Sequence, residues 1–227
     1  METRLKPRNH SAASAIGSLE RGSKPRVVAV VDSIVPIVDL IQLKRKGIDL
    51  FEIRVDLIET TLACIVKYMG DLTAHVGLPL IGTVRENTKT APDRLRIFRT
   101  ILPLVHGIDI ELGCAILPEV VAEAHRLGKT VIVSEHNFEK TPSDTALQSI
   151  VDQAKAAGAD LVKIAAMARN KDDARRLLRF VKYCGFPIAA FAMGGGSLFT
   201  RACLRKRLTI YLRVYFKAGR AGPAFGG

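Results

Sequence analysis

Short apolar runs alternate with amphipathic stretches along most of this chain. Runs of strand length fall at residues 26–31, 48–55, 78–84, 107–112, 130–134, 160–165, 186–193 and 208–216. Between them, residues 34–46, 57–69, 92–105, 116–127, 144–156, 171–183 and 197–206 carry apolar positions at helical spacing. Glycines punctuate the helix ends at Gly47, Gly70 and Gly77, Gly107, Gly128, Gly158 and Gly185, where glycine supplies a left-handed cap. The alternation predicts βαβ units and a parallel sheet. Eight strand candidates predict a closed (β/α)8 TIM-type barrel, one domain over residues 26–227, in a fold that starts at about 200 residues. An open doubly wound sheet is the competing architecture. No Gly-x-Gly-x-x-Gly follows the first strand, so a dinucleotide site has no support. The Gly194-Gly195-Gly196 run after the seventh strand reads equally as an anion-binding turn or a plain loop. Residues 1–25 are polar and lack periodicity; they read as a mobile basic tail.

Composition narrows the function classes. A 48% hydrophobic content over 227 residues is enough for a substantial core. No apolar run approaches the roughly 20 residues that span a bilayer, and no apolar signal segment opens the chain, so a cytoplasmic protein is expected. Cys64, Cys114, Cys184 and Cys203 lie far apart; without a Cys-x-x-Cys pair they fit reduced thiols and argue against a zinc knuckle. The net charge of +12 is concentrated at the ends. Residues 1–26 hold six Lys/Arg and two acids, residues 201–227 hold seven and none, and the body between them carries only +1. A near-neutral body with basic ends does not resemble a nucleic-acid surface spread over a fold. It fits a site for an anionic small molecule.

In such a barrel the functional side chains stand at the C-terminal ends of the strands. Lys163 lies there, inside the apolar run Leu161-Val162-Lys163-Ile164-Ala165. Burial favours the neutral amine, the form that attacks carbonyls. The plainer alternative is a lysine that reaches solvent or pairs with a carboxylate. His136 ends the preceding strand, about 4.8 Å away across the sheet. An amine and an imidazole so placed make a workable pair: an imine at Lys163 acidifies the neighbouring C–H, and His136 moves protons near neutral pH. Strand two ends Glu52-Ile53-Arg54-Val55-Asp56, which sends Glu52, Arg54 and Asp56 to one side, as ligands of a substrate or as a structural ion network. Arg54, Arg85 and Arg201 offer planar donors for a carboxylate.

Taken in order, Glu52-x-Arg54-x-Asp56, Thr83-x-Arg85, Asp109-Ile110-Glu111-Leu112, Ser134-x-His136-x-Phe138-x-x-Thr141-Pro142, Val162-Lys163-Ile164-Ala165 and Met193-Gly194 with Arg201 resemble the type I 3-dehydroquinate dehydratases. The resemblance covers roughly residues 26–201. It implies a (β/α)8 barrel that dehydrates 3-dehydroquinate in the shikimate pathway without metal or cofactor, commonly as a homodimer. By position, Lys163 matches the Schiff-base lysine and His136 the general acid/base. Glu52, Arg54, Arg85 and Arg201 match substrate-binding residues, Arg201 as carboxylate partner, and Met193 matches an apolar pocket wall.

Two departures stand out. The family's acid four residues after the strand-three arginine, which hydrogen-bonds the catalytic histidine, is Lys89 here; Glu86 is the nearby alternative. The family's closing loop reads Ser-Ala-Pro-Gly-Gln; aligned on Pro223, its Ser becomes Ala221 and its Gln becomes Phe225. These departures keep alternatives in view: another Schiff-base lyase or aldolase, a weakened dehydratase paralogue, or a non-catalytic protein that binds anionic partners through its basic ends.

Overall fold

A computed structural model describes residues 15–17, 19–20, 26–194 and 210–212. Two short strands, β1 (Ala15–Ile16) and β2 (Leu19–Glu20), pair as an antiparallel hairpin inside the segment expected to be a tail. Strands and helices then alternate: β3 (Val27–Val31), α1 (Ile37–Arg45), β4 (Leu50–Arg54), α2 (Leu62–His75), β5 (Leu80–Thr83), α3 (Arg94–Ile101), β6 (Gly107–Glu111), α4 (Leu117–Arg126), β7 (Thr130–Asn137), α5 (Asp144–Ala156), β8 (Leu161–Met167), α6 (Lys171–Tyr183), β9 (Ile188–Met193) and β10 (Ile210–Leu212). The helix expected at 197–206 lies outside the described residues, as does most of the last expected strand.

Strands β3 to β10 form one parallel sheet in the order β10-β3-β4-β5-β6-β7-β8-β9. A doubly wound sheet reverses its strand order at a switch point. Here the order follows the chain and the last strand returns beside the first, so the architecture is TIM-like. Among the described residues no pairing joins β9 to β10, the contact that closes a ring.

Local chemistry shifts some boundaries. Helix α2 starts later than its apolar pattern implies because the Thr61 side chain caps it, accepting from the Cys64 N–H at 3.3 Å. It also runs past Gly70, which is interior rather than a break, because Met69 and Leu72 are buried against the core. Gly107 opens β6 instead of ending a helix.

Strand side chains alternate between faces. Outward positions such as Phe51, Ile53, Ile108, Val133 and Ile164 pack against Leu40, Met69, Phe98, Val120 and Leu147 of the helices. Inward, Val28, Leu50, Ile81, Ile132, Leu161 and Ala189 form a second cluster toward the N-terminal ends of the strands. Ile16 and Leu19 of the hairpin pack on that cluster. One step further along the inward face come Glu52, Thr83, Asp109, Ser134 and Lys163, all buried. A polar layer therefore sits directly on an apolar plug.

Candidate active site

Lys163, in the middle of β8, is 7% exposed. Its Nζ donates to Asp109 Oδ2 at 2.8 Å and reaches Glu52 Oε2 at 3.2 Å and Oε1 at 3.4 Å. The lysine is thus ion-paired, the plainer of the two readings its sequence context allowed: two carboxylates offset the desolvation of its charge. Asp109 also accepts from Ser134 Oγ and Arg85 Nη2, each at 2.6 Å. Burial works against the Asp109 carboxylate. The charges of Arg85 and Lys163, with hydrogen bonds from Lys163 and Ser134, outweigh it and hold the group well below the usual carboxylate range. Glu52 is steadied by Thr83 Oγ1, which donates to Oε1 at 2.8 Å.

Arg85, just past β5, is the opposite case. Burial opposes its charge, but Asp109, Glu111 and Glu52 prevail and raise its pKa. Its Nη1 lies 3.3 Å from Glu111 as an ion pair, yet is buried without a hydrogen-bond partner among the described residues. Glu111 is shared with Arg94, whose Nη2 donates to the same carboxylate oxygen. Arg94 is 4% exposed; it donates to the Val84 carbonyl at 2.7 Å and to Cys114 Sγ at 2.9 Å.

His136 sits two residues beyond Ser134 on β7, in register with Ala165 and on the same face as Lys163. Burial and the Arg85 charge push its pKa down, Asp109 and Glu111 oppose them, Lys163 adds a further lowering, and the result is about 4. The imidazole is therefore neutral near pH 7. No hydrogen bond among the described residues reaches either ring nitrogen. Glu86 pairs with Arg94 at 3.3 Å, and Lys89 lies 3.8 Å from Glu59 on the exposed surface. Neither serves as an orienting acid for His136.

The charged trio on strand two divides. Glu52 turns to Lys163, while Arg54 and Asp56 pair with each other through two bonds of 3.0 and 2.6 Å. Met193 ends β9, partly buried. Arg201, Ala221 and Phe225 lie outside the described residues. The structure thus brings Glu52, Arg85, His136 and Lys163 together and adds Thr83, Asp109, Ser134, Glu111 and Arg94. Asp109 and Ser134 had a usable signal, since each lies two residues before Glu111 or His136 on the same strand face. Arg94 had none: a helix arginine reads as a solvated one.

The sequence model of the type I 3-dehydroquinase family matches residues 29–210. The chain belongs to that family. This dehydroquinase is 34% identical over 205 residues to the 3-dehydroquinate dehydratase of Methanosarcina barkeri, covering 82% of this chain and 83% of that protein. With the enzyme of Methanococcoides burtonii it shares 32% identity over 172 residues, 72% and 73% of the two chains. A type I 3-dehydroquinate dehydratase from Clostridium difficile, solved with covalently modified comenic acid, superposes with a TM-score of 0.76 at 27% identity over 87% of both chains. The dehydroquinase described here is a hydro-lyase of the shikimate pathway. That decides against the non-catalytic alternative. No helix among the described residues is long and apolar enough to cross a membrane.

Proposed function

We propose that this enzyme dehydrates 3-dehydroquinate through an imine between Lys163 and the substrate ketone, with His136 as general acid/base. The observation that carries the reading is a buried lysine and an imidazole on the same face of adjacent strands. Lys163 first yields a proton, and His136 is the neutral acceptor beside it. The amine attacks the carbonyl carbon, and loss of water gives an iminium. Glu52 and Asp109 face this cation as they faced the ammonium, so the site is preorganised for the charge it generates. The iminium acidifies the adjacent C–H. His136 removes that proton, leaving an enamine, which expels the β-hydroxyl as water on receiving the proton back. Hydrolysis of the imine releases the conjugated enone and restores Lys163.

Arg85, whose Nη1 has no hydrogen-bond partner among the described residues, Arg54 and Arg201 supply donors for the substrate's hydroxyls and carboxylate, and Met193 supplies an apolar wall. The covalently modified ligand of the Clostridium difficile relative supports a covalent route. The same reading has β9 and β10 closing an eight-stranded barrel, and a cytoplasmic homodimer, for which light scattering should return about twice the 24.7 kDa of one chain.

Borohydride reduction in the presence of 3-dehydroquinate, followed by peptide mass mapping, should place the adduct on Lys163. An adduct elsewhere, or none with an active enzyme, overturns the mechanism. A second reading, a slower dehydratase or a lyase for a related hydroxy-ketone, is favoured by one observation: among the described residues no carboxylate hydrogen-bonds His136, and Lys89 stands where the resemblance implies an acid. Turnover of 3-dehydroquinate compared with other hydroxy-ketones separates the two, and ordinary efficiency on 3-dehydroquinate removes the second.

A further inference from the structure

The loop after β7 holds an exposed aromatic side chain against His136. Phe138 is 69% exposed, among the most exposed large apolar residues described. Its ring faces the His136 ring at a centroid distance of 6.0 Å and an interplanar angle of 16°. Leaving that much apolar surface in water is unfavourable, so the position invites a reason.

The loop is anchored. Asn137 Oδ1 accepts from the N–H groups of Glu139 and Lys140 at 3.1 and 2.8 Å, a turn that fixes the chain on leaving the strand. Thr141 Oγ1 donates to the Met167 carbonyl at 2.9 Å, and Arg169 Nε donates to the Glu139 carbonyl at 2.9 Å. Phe138 is the first residue of the bend that follows β7, and its ring lies nearly parallel to that of His136. A rigid loop thus presents one aromatic ring to the imidazole, and that imidazole has no hydrogen-bonding partner among the described residues.

We propose that Phe138 is the positioning residue of His136: its ring stacks on the imidazole, limits ring rotation and screens the outer face from water. The proposal rests on the general acid/base role of His136 given above. Stacking contributes where a hydrogen bond is missing because parallel offset rings attract beyond simple area burial. Charged groups facing His136 are Arg85 after β5, Asp109 and Glu111 on β6, and Lys163 on β8. None of them lies on the Phe138 loop, so removing the phenyl ring leaves those charges in place and changes mainly hydration.

Two measurements on the full chain test it. In Phe138→Ala, kcat should fall between about 2- and 10-fold, the scale of one aromatic pair, with KM little changed. Phe138→Tyr should restore kcat. The His136 ring proton, followed by NMR in free protein, should titrate at higher pH in Phe138→Ala than in the unaltered chain, because water regains the ring; Phe138→Tyr should return it. Phe138 is exposed, so neither change threatens folding. An unchanged titration and unchanged kcat in Phe138→Ala overturn the proposal. The NMR titration needs no turnover, so it tests the stacking even if His136→Ala proves fully active and the acid/base role fails.

Discussion

At Lys163 two carboxylates surround one ammonium, and Arg85, Ser134 and Thr83 stand behind them. Truncating one member of a buried ion pair strands its partner, at a cost of about 3–5 kcal/mol. Lys163→Ala should therefore abolish turnover and also lower urea stability on that scale; wild-type stability in the variant would show that the pairing is not a folding determinant. His136→Ala should slow turnover by on the order of 10²–10⁴-fold, measured by enone absorbance. The pH dependence follows from direction. Folding lowers the His136 pKa from 6.5 to about 4, so the unfolded chain binds more protons between those values. This contribution to stability is complete above about 6.5 and is lost as pH falls through about 4. Asp109, held below the usual carboxylate range, acts in the same direction in stronger acid. Urea midpoints should drop between pH 7 and 4, and His136→Ala should flatten that slope. Lys163 and His136 were legible as polar residues in apolar strand runs, and carboxylate pairing of the lysine was one of its two readings; which carboxylates it meets was not legible, because they lie far away in the chain.

Among the elements, the link from α5 to β8 turns at Gly158, where φ is +92°. A Cβ there would also lie 2.8 Å from Val121 Cγ1. Gly158→Ala should destabilise by about 1–2 kcal/mol for the left-handed backbone alone, read from chemical denaturation, with activity per folded molecule unchanged. Sequence reasoning located this turn because glycine follows a helix with no other residue able to take that conformation cheaply. The same rule misplaced the end of α2: Gly70 looks like a break, but burial of Met69 and Leu72 exceeds the roughly 1 kcal/mol that an interior glycine costs. Tertiary packing overrode local propensity there.

For the whole molecule, the N-terminal hairpin covers the apolar plug beneath the polar layer. Changing Ile16 and Leu19 together to Ala removes partly buried contacts with Val28, Leu50, Ile81, Ile132 and Leu161. It should lower stability by about 1–3 kcal/mol, seen as a reduced Tm, while kcat/KM at a fixed folded concentration stays near wild type. A fall in kcat/KM without a fall in Tm would show that the hairpin acts on the site instead. The hairpin escaped sequence reading because two-residue strands carry no periodicity. By itself the sequence determined the alternation of strand and helix, the parallel sheet and which side of each strand carries the chemistry, since these follow from a period of two, a period near 3.6 and the glycines between them. Only the tertiary structure decided that Lys163 meets Glu52 and Asp109, which lie 111 and 54 residues away. Alternation specifies a face, but the register between strands specifies which side chains on that face touch, and the charge balance of a buried lysine is set by those contacts.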